Sequence, residues 1–197
     1  MQFGILVEEA RKITWDSFNQ NPNNKSFHIF HTSLFIGYSE QLLLIYGEEV
    51  DREIVALSSI MHDIARPPED LGITKRTGRL QPHQENGAKI AREFLGNYNY
   101  PQTERVAQAI LCHGGKIPRS TIEDKIIYDC QRLSDSSPAL YSWFTANNND
   151  PNYISSFFKK EFFDGGRVPP HFEYSQRLFD EHRKVIGKFI TLDDISM

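Results

Sequence analysis

Helical periodicity runs through almost the whole chain. Apolar residues recur three and four positions apart, and no stretch combines sustained alternation with the Asn-Gly or Asp-Gly turns of hairpins. Each such segment carries one apolar face, which it can bury only against another segment. The sequence therefore predicts an all-α fold, a compact helical bundle.

Length, composition and charge fit one soluble globular domain. A chain of 197 residues is long enough to bury a core without a disulfide, and 39% hydrophobic with 24% charged residues excludes a disordered chain. The net charge of -4 provides no broad positive field, so duplex nucleic acid is not expected as a partner. Neither an internal repeat nor a linker is present, and we predict a single domain over residues 1–197.

The cysteines and the apolar runs indicate in which cellular compartment the protein is located. Cys112 and Cys130 are far apart and form no Cys-x-x-Cys pair, which argues against a thiolate metal site or a disulfide framework. The apolar run from Phe3 to Val7 is too short for a signal core, and no stretch approaches about 18 apolar residues. The expected location is cytoplasmic, with no export signal and no membrane span.

Breaker and capping residues divide the helical pattern. The predicted helices cover about 3–18, 26–46, 51–66, 83–97, 103–113 and 172–190, with a further one opened by a capping box of Ser120 and Glu123. Asp51 and Thr103 are the expected N-caps of their helices. The pair Pro67-Pro68 is expected to end the third helix, and residues 67–82 to form a positively charged loop.

Five helices carry an imidazole or a carboxylate on their apolar face, at His31, His62, His83, His113 and Asp129. Burying such groups without partners costs about 2 to 7 kcal/mol for a neutral polar group, and more for a charge. A single inward histidine is more often a hydrogen-bonded core residue than a ligand. Five inward sites favour a shared divalent cation, which binds neutral imidazole and ionised carboxylate together. His171 and His182 lie outside this pattern and are expected at the surface.

The same residues resemble the H...HD...D pattern of the HD-domain superfamily: His31, the adjacent pair His62-Asp63, and Asp129. The resemblance spans about residues 27–133 and implies an HD-type helical domain, with the C-terminal helices packing on that core. His83 and His113 resemble the extra histidines of HD proteins that hold two metals. The resemblance thus implies one divalent ion bound by His31, His62, Asp63 and Asp129, and a second held by His83, His113 and a bridging Asp63.

Two sequence features bear on how far the chain follows the pattern of the superfamily. The last motif reads Asp129-Cys130-Gln131-Arg132-Leu133, so that Gln131 replaces the second acid of the Asp-Ala-Asp-x-Leu segment found in related sequences. No Gly-Tyr-Pro follows the His-Asp pair, so the branch acting on cyclic-di-GMP is not indicated. The expected cofactor is one or two divalent ions, and mixed imidazole and carboxylate ligation suits Fe, Mn, Zn, Co or Ni better than Mg.

The resemblance implies a metal-dependent phosphohydrolase. We expect it to act on a small phosphorylated substrate, a nucleotide or a phosphate monoester, by attack of a metal-activated water. Asp63 and Arg66 are the expected catalytic residues. Phosphate also requires positive partners, for which the candidates are Arg66, Lys75, Arg79, Lys116 and Arg132.

Two other functions fit the same pattern. Some HD-fold proteins with four histidines and two aspartates hold two irons and oxidise a small substrate with oxygen. The other alternative is a non-catalytic HD module that senses a nucleotide, a role for which Gln131 gives some ground. The sequence leaves the substrate and the oligomeric state open.

Overall fold

The structure, a computed structural model, describes residues 3–72, 82–114, 117–147, 150–163 and 168–190. Every regular element in these ranges is a helix, which confirms the predicted all-α fold. In chain order the helices are α1 (Phe3–Phe18), α2 (Lys25–Tyr46), α3 (Arg52–Met61), α4 (Arg66–Asp70), α5 (Pro82–Asn97), α6 (Thr103–Cys112), α7 (Ile122–Asp135), α8 (Pro138–Asn147), α9 (Pro151–Phe163) and α10 (Glu173–Ile186).

The chain divides into two compact units, residues 1–130 and 131–197, and the boundary falls within α7. The first unit contains α1 to α6 and most of α7. The second contains the end of α7 and α8 to α10. That the whole chain forms one domain, with the C-terminal helices packed on the earlier bundle, stays a prediction.

Helix α3 is the central element of the first unit. It contacts α1, α2 and α6, and seven of its ten residues are buried: Ile54, Val55, Leu57, Ser58, Ser59, Ile60 and Met61. Asp51 caps it as predicted, because its carboxylate accepts the backbone N–H groups of Glu53 and Ile54. The buried hydroxyl of Ser58 donates to the Ile54 carbonyl oxygen at 2.7 Å. The residues that follow α3 therefore start within the core, where His62 is fully buried.

The expected end of the third helix is wrong. Helix α3 stops at Met61, residues 62–65 form a turn, and Arg66 begins the separate short helix α4. Pro67 and Pro68 start this helix instead of ending the previous one, because the first turn of a helix does not use the N–H groups that proline lacks. Residues 67–70 and 82 of the predicted loop are therefore helical, and residues 73–81 lie outside the described ranges.

Two predicted caps are also displaced. Gln102 is the N-cap of α6, while the Thr103 hydroxyl donates to the Tyr100 carbonyl oxygen at 2.7 Å. The capping box of α7 lies one residue later than predicted: the Asp124 carboxylate accepts the backbone N–H of Thr121, and Thr121 Oγ1 accepts that of Asp124.

Glu123, predicted as part of that box, has another partner. Its carboxylate accepts the backbone N–H of Asp51 at 2.9 Å and pairs with Arg105 at 2.8 Å. Glu123 therefore ties the start of α7 to the residue that caps α3.

The second unit is built around aromatic side chains. Helix α8 contacts both α9 and α10, and Phe158 on α9 is fully buried. Its ring contacts those of Tyr141, Phe144, Phe157 and Phe162. The ring centroids in these pairs lie 5.1 to 6.3 Å apart, a range in which aromatic side chains stabilise a core by packing on one another.

The expectation that His182 lies at the surface is wrong. Its side chain belongs to α10, the residue is 7% exposed, and its Nδ1 lies 3.2 Å from the Ser136 hydroxyl. His171 is half-buried. Buried histidines occur in both units, and His182 lies outside the candidate ligand set, so burial of an imidazole alone does not identify a ligand.

None of the described helices has both the length and the apolar character that a bilayer crossing requires.

Candidate metal centre

The His-Asp pair lies in the turn between α3 and α4. The Ser17 hydroxyl donates to the Ile64 carbonyl oxygen at 2.5 Å, which attaches this turn to α1. Within the turn, the Arg66 N–H donates to the Asp63 carbonyl oxygen at 2.9 Å. The pair is thus held at the end of a buried helix by contacts on both sides.

Asp63 stands between two groups of histidines. Its Oδ2 lies 3.5 Å from His31 Nδ1 and 3.5 Å from His62 Nε2. Its Oδ1 lies 3.5 Å from His83 Nε2 and 3.8 Å from His113 Nε2. In each group, one atom from each residue lies within 4.8 Å of the others, and all members are buried. Four helical segments therefore converge on one carboxylate, and each of its oxygens faces two imidazoles.

Backbone carbonyl groups orient two of the imidazoles. His62 Nδ1 lies 2.9 Å from the Ser59 carbonyl oxygen, and His113 Nδ1 lies 2.6 Å from the Ile110 carbonyl oxygen. A carbonyl only accepts hydrogen bonds, so each Nδ1 carries the proton and each neutral ring presents a lone pair at Nε2. The Nε2 atom of His62 is buried and has no hydrogen-bond partner among the described residues.

Aromatic side chains hold the rings of the first group. The Phe35 ring stacks on His62 with centroids 3.9 Å apart, and Phe27 stacks on His31 at 5.8 Å. Phe35 is itself fully buried. These contacts restrict rotation of the imidazoles and exclude water from one side of the group.

Burial and mutual charge set the ionisation of the centre. Burial lowers the pKa of His62 to about 4 and that of His113 to about 3, so both rings are neutral at pH 7. Burial alone raises the pKa of Asp63, but His62, His31, His83 and Arg66 outweigh it and hold that pKa well below the usual range. The result is an ionised carboxylate beside the neutral imidazoles of His62 and His113, the protonation states in which these groups bind a divalent metal.

The donor set fits metal ions. His83 Nε2 and His113 Nε2 lie 3.2 Å apart, and His62 presents an unpartnered lone pair to the same carboxylate. Either group could hold an ion, and a shared Asp63 would bridge the two. Buried lone pairs that converge on a carboxylate are stabilised by a cation, which accepts all of them.

Asp129 does not belong to either of these groups. It is fully buried on α7, and the two described groups consist of other residues. Its role as a ligand stays a prediction. The structure therefore brings together five of the six predicted ligands, namely His31, His62, Asp63, His83 and His113.

Of the predicted phosphate-binding residues, the structure describes Arg66 and Arg132. Arg66 lies beside the centre, with its side chain 37% exposed and its Nη1 2.9 Å from His83 Nδ1. Arg132 lies in the second unit, where it is 3% exposed and binds the Glu161 carboxylate at 2.7 Å and the Glu161 carbonyl oxygen at 2.8 Å. Its guanidinium is occupied, and we do not propose it as a phosphate partner. Lys75, Arg79 and Lys116 lie outside the described residues.

Sequence reasoning missed two carboxylates on α4. Glu69 contacts His83 Nδ1, and its Oε2 accepts the His83 backbone N–H at 3.2 Å. Asp70 lies 3.0 Å from His28 Nε2, and both acids pair with Arg66. Burial raises the pKa of Glu69, but the contacts with His83 and Arg66 outweigh it and lower that pKa. The sequence signal was the spacing of three and four from Arg66, which carries meaning only once α4 is known to be helical.

Comparisons with known proteins agree with this geometry. The family model described as "HD domain" matches residues 29–135. No curated protein matches the sequence. Among solved structures, the chain is similar to the crystal structure of a predicted HD superfamily hydrolase from an uncultured Thermotogales bacterium. The two chains are 18% identical, the match covers 96% of this chain and 95% of the other, and the TM-score is 0.65. At that identity the likeness shows the fold.

Proposed function

The chain belongs to the HD-domain family, and on that premise we propose that it is a metal-dependent phosphohydrolase acting on a small phosphorylated substrate. The observation that carries the proposal is the placement of Asp63. Its two carboxylate oxygens each face a separate pair of buried imidazole nitrogens, at 3.5 to 3.8 Å. Such an arrangement supports two neighbouring ions that share one ligand.

Each ligand has a distinct task in this proposal. His31 and His62 would hold one ion, His83 and His113 the other, and Asp63 would contribute one oxygen to each. Asp129 is proposed as a further ligand of the first ion. When bound, divalent ions would supply Lewis-acid chemistry, polarising the phosphate and lowering the pKa of a water toward neutrality. This set of imidazole and carboxylate ligands favours Fe, Mn, Zn, Co or Ni over Mg.

Arg66 is the proposed partner of the substrate phosphate. It is the first residue of α4, its side chain is partly exposed, and its guanidinium lies at the edge of the second group of ligands. A guanidinium binds phosphate oxygens through two parallel N–H groups. It would orient the substrate and stabilise charge that develops on the phosphate oxygens. Lys75, Arg79 and Lys116 remain proposed contributors.

The name of the structurally similar protein, a predicted hydrolase, agrees with the reaction class. A nucleotide or a phosphate monoester is the proposed substrate class. The positive charge of Arg66 beside the ligands favours an anionic substrate, as a phosphorylated compound is. We further propose a cytoplasmic location, because Cys112 and Cys130 are both free thiols.

Metal content and turnover together test this function. The purified full chain would be analysed for bound metals and assayed for phosphate release from nucleotides and monoesters with Mn²⁺ or Co²⁺. We expect the wild-type protein to release phosphate. The rate of phosphate release should fall at least about a hundredfold in His62→Ala and in Asp63→Asn. Glu85→Gln, a change in an exposed acid on α5, is the matched control.

Other results would assign a different function. Bound iron with oxygen-dependent product and no phosphate release would favour the oxygenase. Tight nucleotide binding without turnover would favour the sensing module. A protein without bound metal, whose folding and phosphate release are unchanged in Asp63→Asn, would contradict the proposal.

A further inference from the structure

We infer that Glu69 is a positioning residue that selects the tautomer of His83 able to bind an ion, and that Arg66 favours the opposite tautomer. The inference rests on the proposed function, since it concerns the second ion of the same centre. It assigns a role to a carboxylate outside the predicted ligand set.

The contacts of His83 Nδ1 define the choice. This atom contacts Glu69 Oε2 and also lies 2.9 Å from Arg66 Nη1. A neutral imidazole has a single N–H, and a guanidinium only donates while a carboxylate only accepts. In the neutral ring, which is the form that binds a metal, Nδ1 can therefore either donate to Glu69 or accept from Arg66, and the two contacts require different tautomers.

The tautomer decides what Nε2 presents to the centre. His113 donates its Nδ1 proton to the Ile110 carbonyl oxygen, so its Nε2 carries a lone pair, 3.2 Å from His83 Nε2. If His83 accepts from Arg66, its own proton lies on Nε2 and can donate to His113. The two histidines then satisfy each other, and neither lone pair is available to an ion.

The alternative tautomer opens the site. If His83 donates Nδ1–H to Glu69, both Nε2 lone pairs face each other and Asp63 Oδ1, at 3.5 and 3.8 Å. Three electron-rich atoms then meet without a proton between them, an arrangement that a cation stabilises. A carboxylate that accepts the second N–H of a metal-binding histidine also raises the basicity of that histidine.

A hydrogen bond to the backbone also fixes the position of the Glu69 carboxylate. Its Oε2 also accepts the backbone N–H of His83 at 3.2 Å, near the start of α5. One carboxylate oxygen thus contacts both the main chain and the side chain of the same residue. This fixes the position of the acceptor relative to the ring.

Binding of metal alone tests the role of Glu69 without relying on turnover. The full chain would be titrated with Mn²⁺ by calorimetry, and bound ions counted by elemental analysis, for wild type, Glu69→Ala, Glu69→Gln and Asp70→Asn. Glu69→Ala is expected to weaken the second ion about 10- to 100-fold while changing the first by less than about threefold. Glu69→Gln should fall between, because its amide oxygen still accepts a hydrogen bond.

Asp70→Asn is the matched control, because this neighbouring acid on α4 contacts His28 instead of His83. It is expected to keep both ions. Equal loss in the Asp70 and Glu69 variants would overturn the inference, since it would indicate disruption of α4 as a whole. Unchanged binding in Glu69→Ala would overturn it as well.

The tautomers can be observed in metal-free protein. Long-range ¹H–¹⁵N spectra distinguish a protonated ring nitrogen from an unprotonated one, and His83 would be assigned by His83→Gln. Glu69→Ala is expected to shift His83 toward the Nε2–H form and Arg66→Met toward the Nδ1–H form. No shift in either variant would refute the inference. If wild type itself binds a single ion or none, the two-ion centre fails instead, and the spectra still decide which residue selects the tautomer.

Discussion

His113 Nδ1 lies 2.6 Å from the Ile110 carbonyl oxygen, a contact within the last turn of α6 that directs Nε2 toward Asp63. The position of this imidazole therefore depends on how α6 ends. Gln84 holds the same end, because its amide donates to the Leu111 carbonyl oxygen at 3.0 Å. Gly114 is the residue after His113, and it lies against the side-chain amide of Gln84.

A side chain at position 114 should disturb this arrangement. A Cβ there would overlap with the side-chain amide of Gln84, and Gln84 is fully buried and hydrogen-bonded, so it cannot move aside without losing its partner. We expect Gly114→Ala to lower the free energy of unfolding by about 1 to 3 kcal/mol and to weaken binding of the second ion. Urea unfolding and metal titration measure the two effects.

Gly87→Ala provides the comparison. A Cβ at this position in α5 meets its nearest atom, Ile110 Cγ2, at an ordinary contact distance of 3.5 Å. Alanine is the better helix former by about 0.5 to 1 kcal/mol, so stability should stay equal or rise. Destabilisation by both variants to the same extent would contradict the specific role of Gly114.

Metal binding should stabilise the fold through Asp63. An ion that binds only the folded chain adds about 2.7 kcal/mol at a concentration one hundred times its dissociation constant. We expect Mn²⁺ or Co²⁺ to raise the melting temperature of wild type, and a chelator to reverse the rise. Asp63→Asn should abolish the response, because the amide cannot bridge two cations. A full response in this variant would exclude Asp63 as the shared ligand.

His182 should make stability depend on pH. Burial lowers its pKa to about 4, against 6.5 in an unfolded chain. Between these values the unfolded state binds the extra proton, so stability is present above pH 6.5 and is lost as the pH falls toward 4. The shift corresponds to on the order of 3 kcal/mol.

The replacement His182→Gln should reduce this acid sensitivity. The comparison is made on metal-free protein, with urea unfolding measured between pH 7 and pH 4, because His62 and His113 contribute the same sign in both proteins. The difference in slope isolates His182, which lies in the other unit. Identical slopes for the two proteins would contradict a buried neutral imidazole at this position.

The buried pair of Arg132 and Glu161 should behave as a structural unit. Their side chains are 4% and 2% exposed and their charged atoms lie 2.7 Å apart. Removing one partner leaves an uncompensated charge, so Arg132→Met or Glu161→Leu alone should cost about 3 to 5 kcal/mol. The double variant Arg132→Met with Glu161→Leu should recover much of that loss. Additive losses in a double-mutant cycle would contradict the coupling.

The sequence predicted most of the described helices, and the inward faces of most of the candidate ligands, because both depend on local spacing. The apolar stripe and the Asp51 cap located α3, and helical phase placed His31, His83 and His113 on inward faces. The end of α3 was wrong because Pro67-Pro68 has two meanings, ending one helix or beginning another. Choosing between them requires knowing that the turn after Asp63 is anchored to α1 by Ser17.

Contacts between distant residues were beyond prediction from spacing. Glu69 meets His83 across 14 positions and Arg132 meets Glu161 across 29, and nothing in the local pattern distinguishes these acids from solvated ones. The same reason explains the error on His182, whose burial depends on packing within the second unit. Charge and periodicity indicated that a polar centre exists, whereas the partner of each polar group depended on tertiary structure.

The attachment of α1 to the turn bears on how a fragment of this protein should be cut. The family match begins at residue 29, yet Leu6, Ala10 and Phe18 of α1 are buried and Ser17 holds the Ile64 carbonyl oxygen. An expression clone trimmed to the matched region would keep every predicted ligand and discard the helix that anchors the turn carrying two of them. A fragment made for expression should therefore begin before Phe3, upstream of the region that the family model matches.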